Sequence, residues 1–139
     1  MMKETQVQVK WLDKLQFVGT DSTRHSLVMS SQDEENATGL KPSELLLLGL
    51  GGCTAVDIII IMRKKRQAVT GLEINVRGEQ DDNPPWTFRH IHLEYVVRGK
   101  GLSEKRLAQA IRLSEEKYCS VRNSLACEVT SSYRIVEEE

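Results

Sequence analysis

The chain has 139 residues, the length of about one domain with a core of its own. Its 19 basic and 20 acidic side chains leave a formal net charge of -1, a field too weak to gather nucleic acid or an anionic membrane surface. The polar opening Met1 to Gln6 lacks the apolar stretch of a secretory signal, so the protein reads as cytoplasmic. In that compartment three cysteines read as free, catalytic or metal-binding rather than permanently cross-linked.

Near the amino terminus Val7, Val9 and Trp11 alternate with polar residues, Leu15, Phe17 and Val18 follow Asp13-Lys14, and Leu27 to Met29 closes a third short run. The pattern predicts a meander of three strands. Residues 30 to 41 are polar and read as an exposed connection, after which Pro42 suits a helix's first turn. Leu45 to Met62 is almost continuously apolar and approaches the length of a membrane span. Asp57 and the glycines at 49, 51 and 52 oppose that reading, because a carboxylate at mid-bilayer is costly and a protein-enclosed helix tolerates both. The segment reads as a buried central helix whose second side a further subunit covers. It ends in Arg63-Lys64-Lys65-Arg66, basic residues that complement the negative end of the helix dipole. Nuclear-signal and phosphate-binding readings of that run stand beside the solvated helix end.

After Gly71, Leu72, Ile74 and Val76 alternate with polar residues, Asp81 to Pro85 makes a turn, and Phe88 to Val97 predicts a long strand. On that strand His90, His92 and Glu94 share one face, while Ile91, Leu93 and Tyr95 share the other. Ser103 can cap a helix on which Leu107, Ile111, Ser114 and Tyr118 fall in one stripe. A turn holding Cys119 follows, and Cys127 to Val136 forms a last strand with Val129, Ser131, Tyr133 and Ile135 on one side. The order βββ-α-ββ-α-β predicts an α+β fold in a single domain, residues 1–139, without internal repeats.

The chemistry concentrates on Gly51-Gly52-Cys53-Thr54-Ala55-Val56-Asp57 and on Lys117-Tyr118-Cys119-Ser120-Val121. Read locally, the paired glycines place Cys53 at a new helix start, where unpaired amides stabilise a thiolate. A small core thiol is the other reading of the same residue. His25, His90 and His92 with the cysteines show no Cys-x-x-Cys or His-x-x-x-His spacing, so no metal is assigned. Asp57, four residues after Cys53, reads as structural, since a carboxylate there would raise the thiol's pKa. Ser120 and Ser124 have no adjacent base or nucleophile elbow, which removes a hydrolase.

The stretch Lys41 to Asp57 together with Glu116 to Val121 resembles the two cysteine motifs of the OsmC/Ohr family, the osmotically inducible and organic-hydroperoxide-resistance proteins. Phe17-Val18-Gly19, His25 to Met29 and Gly51-Gly52-Cys53 are most similar to its YhfA-like branch, and the likeness covers essentially the whole chain. It implies an OsmC-like intertwined homodimer with central apolar helices packed between sheets. It also implies a cofactor-free thiol peroxidase in which Cys53 attacks an organic hydroperoxide, Cys119 resolves the sulfenic acid as a disulfide, and an external dithiol is the reductant. Cys127 is then a spare, partly buried thiol.

The pattern departs from the family's peroxidases in two places. Ser43 follows Pro42, with Glu44 one position later, and Asp33 stands where OsmC-type members carry an arginine. Arg24 and Glu44 are the candidates for the auxiliary roles. A redox sensor or small-molecule binding module with little turnover is the alternative function, and a structural dimer with inert thiols the plainest one.

Overall fold

The computed structural model describes residues 2–139, which divide into two compact units, one ending at Leu46 and the other Leu47–Glu139. The first unit is the predicted meander: β1 (Gln8–Asp13), β2 (Gln16–Thr20) and β3 (Ser26–Ser30) pair antiparallel in that order. Trp11 stands opposite Phe17, and Phe17 opposite Met29, so the apolar residues of the three short runs share rows across the sheet.

The polar stretch after β3 is more built than its composition suggests. The Ser30 hydroxyl accepts from the amides of Thr38 and Gly39, at 3.2 and 3.0 Å, and both Ser30 and Asn36 are buried. Asn36 accepts from the Leu15 amide at 3.1 Å and donates to Asp33 at 2.7 Å. Hydrogen bonds from Ser31 and Asn36 hold the Asp33 carboxyl below the usual carboxylate range. Asp33 is thus a brace within its own loop. Gly39 is required here, because a Cβ would lie 2.5 Å from the Val28 carbonyl oxygen.

Helix α1 (Pro42–Lys64) begins in the first unit and runs through the double glycine without a break. Leu50, Thr54, Ile58 and Met62, each four residues from the last, form its buried stripe, joined by Gly51. A Cβ on Gly51 would meet Val76 at 3.1 Å, so this glycine sets how closely α1 lies on β4 (Val69–Gln80). The other side of α1 was expected to be enclosed. In the single chain Leu46, Leu48, Val56 and Ile60 are exposed along it, and by length and composition alone this helix could cross a membrane.

In the second unit β4 pairs antiparallel with β5 (Phe88–Gly99), and β5 pairs parallel with β6 (Glu128–Glu137), giving the order β4-β5-β6. The parallel pair requires a crossover, and it contains α2 (Glu104–Leu113), a π-helical turn (Ser114–Tyr118) and α3 (Ser120–Ser124). Ile91, Leu93, Tyr95 and Val97 of β5 are fully buried and make the centre of the core with Leu50, Ile58, Met62, Leu107 and Ala110. Ser103 caps α2 as predicted, its hydroxyl accepting from the Arg106 amide at 3.2 Å. Leu107, Ile111 and Ser114 are buried, but Tyr118 is 52% exposed. The widened turn carries more residues per rotation than an α-helix, so the stripe drifts and Tyr118 leaves the buried face. The α+β class and the element order follow the sequence reading.

Candidate functional site

Cys53 lies in the middle of α1, not at a helix start, so no unpaired amide reaches its sulfur. The double glycine did not begin a helix because flanking leucines and isoleucines bury the segment on either side of it, and tertiary packing overrides the weak propensity of glycine. Cys53 is half-buried and packs against the core. Cys119 occupies the position expected for Cys53: it is the N-cap of α3, and its Sγ accepts from the Arg122 amide at 3.3 Å.

The structure brings Cys53 and Cys119 together: Cys119 is part of the buried core, and Cys53 packs against that core beside it. Burial, and then the Cys53 thiol, push Cys119 up to about 11, against the pull of the Arg122 amide in the other direction. Cys119 is fully buried, and all three cysteines are free.

Three contacts seat the pair. Ser114 donates from its hydroxyl to Asp57 Oδ2 at 2.8 Å, tying α1 to the π-helical turn. The Cys119 amide donates to the Ser114 carbonyl at 2.8 Å, which closes that turn. Asn123 Nδ2 donates to the carbonyls of Cys119 and Glu115, at 2.8 and 3.0 Å. Asp57 therefore has the structural use the sequence assigned to it. Behind the pair, the buried Tyr95 hydroxyl donates to Glu115 Oε1 at 3.1 Å, and burial followed by the Glu115 charge raises the phenol far above its ordinary value. The Thr54 hydroxyl donates to the Gly51 carbonyl at 3.0 Å. The sequence reading passed over Tyr95, Glu115 and Arg122; the one signal for Tyr95 was a lone polar tip on the otherwise apolar face of β5.

The other sequence candidates lie elsewhere. Arg24 sits in the β2–β3 turn at φ 69°, exposed, its side chain without a hydrogen bond or ion pair among the described residues. Glu44 is exposed in the first turn of α1, 3.9 Å from Lys41 Nζ. His25 bonds Thr23 in the same turn as Arg24. His90 and His92 share the Thr130 hydroxyl at 2.7 Å each on the polar face of the β4-β5-β6 sheet. Among the described residues no three His, Cys, Asp or Glu side chains are grouped to hold a metal ion. Cys127 is half-buried against the core.

The pH dependence of stability follows from Cys119. Its folded pKa lies above the ordinary 9.0, so the folded state holds the proton more tightly. The resulting stability is complete below about pH 9 and is lost as pH rises toward about 11. Urea midpoints of the reduced protein should fall across that window, and Cys119→Ser should flatten the fall.

An α+β chain whose central helix and later helix cap bring two free thiols close together is a protein of the paired-cysteine kind. The family model of OsmC-like protein matches residues 33–134, and the chain belongs to the OsmC family, a family of stress-related redox proteins. It is 37% identical over 133 residues to the protein YhfA of Escherichia coli strain K12, covering 94% of this chain and 98% of that relative. A crystal structure of a hypothetical protein from Aquifex aeolicus VF5 superposes with a TM-score of 0.88 at 32% identity, covering 99% and 100% of the two chains. The fold is also that of an OsmC-like protein from Mycoplasma pneumoniae, with a TM-score of 0.84 at 19% identity and coverage of 99% and 100%.

Proposed function

We propose that this protein is a cytoplasmic, homodimeric thiol peroxidase in which residues 1–139 act as one domain, Cys53 reduces an organic hydroperoxide and Cys119 resolves the product. The observation that carries this reading is the proximity of the two cysteines, which separate elements bring to one core. In the first step the Cys53 thiolate attacks the distal peroxide oxygen, the O–O bond breaks, and the alkoxide takes a proton to leave as alcohol while Cys53 becomes a sulfenic acid. In the second, the Cys119 sulfur displaces that hydroxyl as water and the disulfide forms. An external dithiol returns both sulfurs to thiols, and no cofactor enters the cycle.

The surroundings favour an organic peroxide over hydrogen peroxide, because Leu50, Ile58 and the half-buried isoleucines of α1 line the helix that carries Cys53. The exposed row Leu46, Leu48, Val56 and Ile60 supports the dimer, since a single chain leaves it in water. Arg24 and Glu44 keep auxiliary roles in this reading on the strength of the motif resemblance alone.

One observation favours the second reading, a sensor or binding module that turns over slowly. With a pKa of about 11, roughly one Cys119 in ten thousand is thiolate at pH 7, which slows resolution. Burial, the larger cause of the elevation, does not depend on the oxidation state of Cys53. The test is consumption of cumene hydroperoxide with a recycling dithiol. Many turnovers per subunit support the peroxidase, a single oxidation per subunit supports the sensor, and thiols that remain fully alkylatable defeat both.

A further inference from the structure

The basic run at the end of α1 faces a second basic group that the sequence did not connect with it. Lys64, Lys65 and Arg66 line a cavity of about 570 Å³ together with Ser103, Lys105, Arg106 and Gln109 at the start of α2. Five cations border it, and none has a carboxylate partner within ion-pair distance among the described residues. The one acidic residue at the start of α2, Glu104, bonds the Tyr133 hydroxyl at 3.1 Å.

Helix capping does not use up these charges. The carbonyls of Ile61, Met62 and Arg63 are taken by backbone amides of Lys65, Gln67 and Arg66, at 2.9 to 3.0 Å. Lys65 and Arg106 brace the wall, Lys65 Nζ donating to Gln109 Oε1 at 3.1 Å and Arg106 Nη1 to the Lys65 carbonyl at 3.0 Å. Lys64, Arg66 and Lys105 make no side-chain hydrogen bond among the described residues. Arg66 sits at φ 57°, in the left-handed position after a helix that glycine fills at least strain. A long cation there is kept at a conformational cost, beside four others that repel it.

We propose that this cavity binds a small polyphosphorylated anion, a di- or triphosphate chain either free or carried by a nucleoside. Five gathered positive charges match an anion of three or four negative charges rather than a single carboxylate, and a concave pocket on a chain of net charge -1 suits a compact ligand rather than a nucleic-acid track.

The experiment is isothermal titration of the full chain with inorganic triphosphate, ATP and AMP at about 150 mM salt, where exposed charges are largely screened. Saturable one-to-one binding of triphosphate or ATP is expected, with AMP at least about tenfold weaker. Lys64→Gln combined with Lys105→Gln should weaken triphosphate by about tenfold, and Lys117→Gln, a lysine outside the cavity, should leave it unchanged. Arg66→Gly separates binding from folding, because it relieves the left-handed backbone and so holds or raises the melting temperature while still weakening the anion. ATP tighter than triphosphate assigns the nucleotide, and equal affinity assigns the free chain. No saturation, equal loss in Lys117→Gln, undiminished binding by Arg66→Gly, or binding only of an acidic peptide would overturn the proposal.

Discussion

Cys53→Ser should bring the consumption of cumene hydroperoxide down to the uncatalysed background, a loss on the order of a thousandfold or more, because a serine hydroxyl at neutral pH cannot accept the peroxide oxygen and pass it on. The fold should survive the change. Cys53 is half-buried, the substitution is nearly isosteric, and the melting temperature should move only by what about 1 kcal/mol or less produces. Stopped-flow peroxide consumption with a parallel thermal melt checks both parts. Retained turnover in Cys53→Ser would move the chemistry to another sulfur and end the assignment.

Cys119→Ser has the other large effect, and it differs in kind. The first oxidation remains, so one equivalent of peroxide is still consumed per subunit, but no sulfur is left to resolve the sulfenic acid. Under excess peroxide Cys53 should then pass to sulfinic acid, and multiple turnover should stop within the first few cycles. Intact-mass measurement after stepwise peroxide addition reads this directly. Serine is the right probe because its hydroxyl can still accept from the Arg122 amide at the cap of α3, whereas alanine would also remove the cap, at about 1 kcal/mol. Equal and mild effects of the two serine variants would contradict the division of roles between the cysteines.

The strands and the helices α1 and α2 were legible in the sequence because their signals are local. Alternation in Leu72 to Val76 and in Ile91 to Tyr95, the proline at 42 and the serine at 103 each act within a few residues of their own position. What escaped was set by distant partners. The loop after β3 looks like solvent-exposed polar chain until Ser30 and Asn36 are seen to satisfy its amides. The π-helical turn has no periodic signature of its own, so Tyr118 was placed on a stripe it leaves. The position of β6 beside β5, and its parallel sense, are invisible to periodicity.

At the candidate site the motifs single out the two cysteines, but the local reading of them differs from the structure: Cys53, expected at a helix start, lies in mid-helix, and Cys119, expected in a turn, caps a helix. The apolar length of α1 outweighed the glycines, and the short α3 was too brief to announce itself. Likewise the basic run at the end of α1 was read as an isolated helix end, because its facing partners at Lys105 and Arg106 arrive only after two intervening strands.

The parallel seating of β6 on β5 also closes the loop on which the second sulfur is carried. Cys119 lies inside the crossover between β5 and β6, so the segment that carries it is anchored at both ends in one sheet. Release of β6 would turn that closed loop into an open tail, so the reach of Cys119 depends on the pairing of a strand that lies beyond it in the chain.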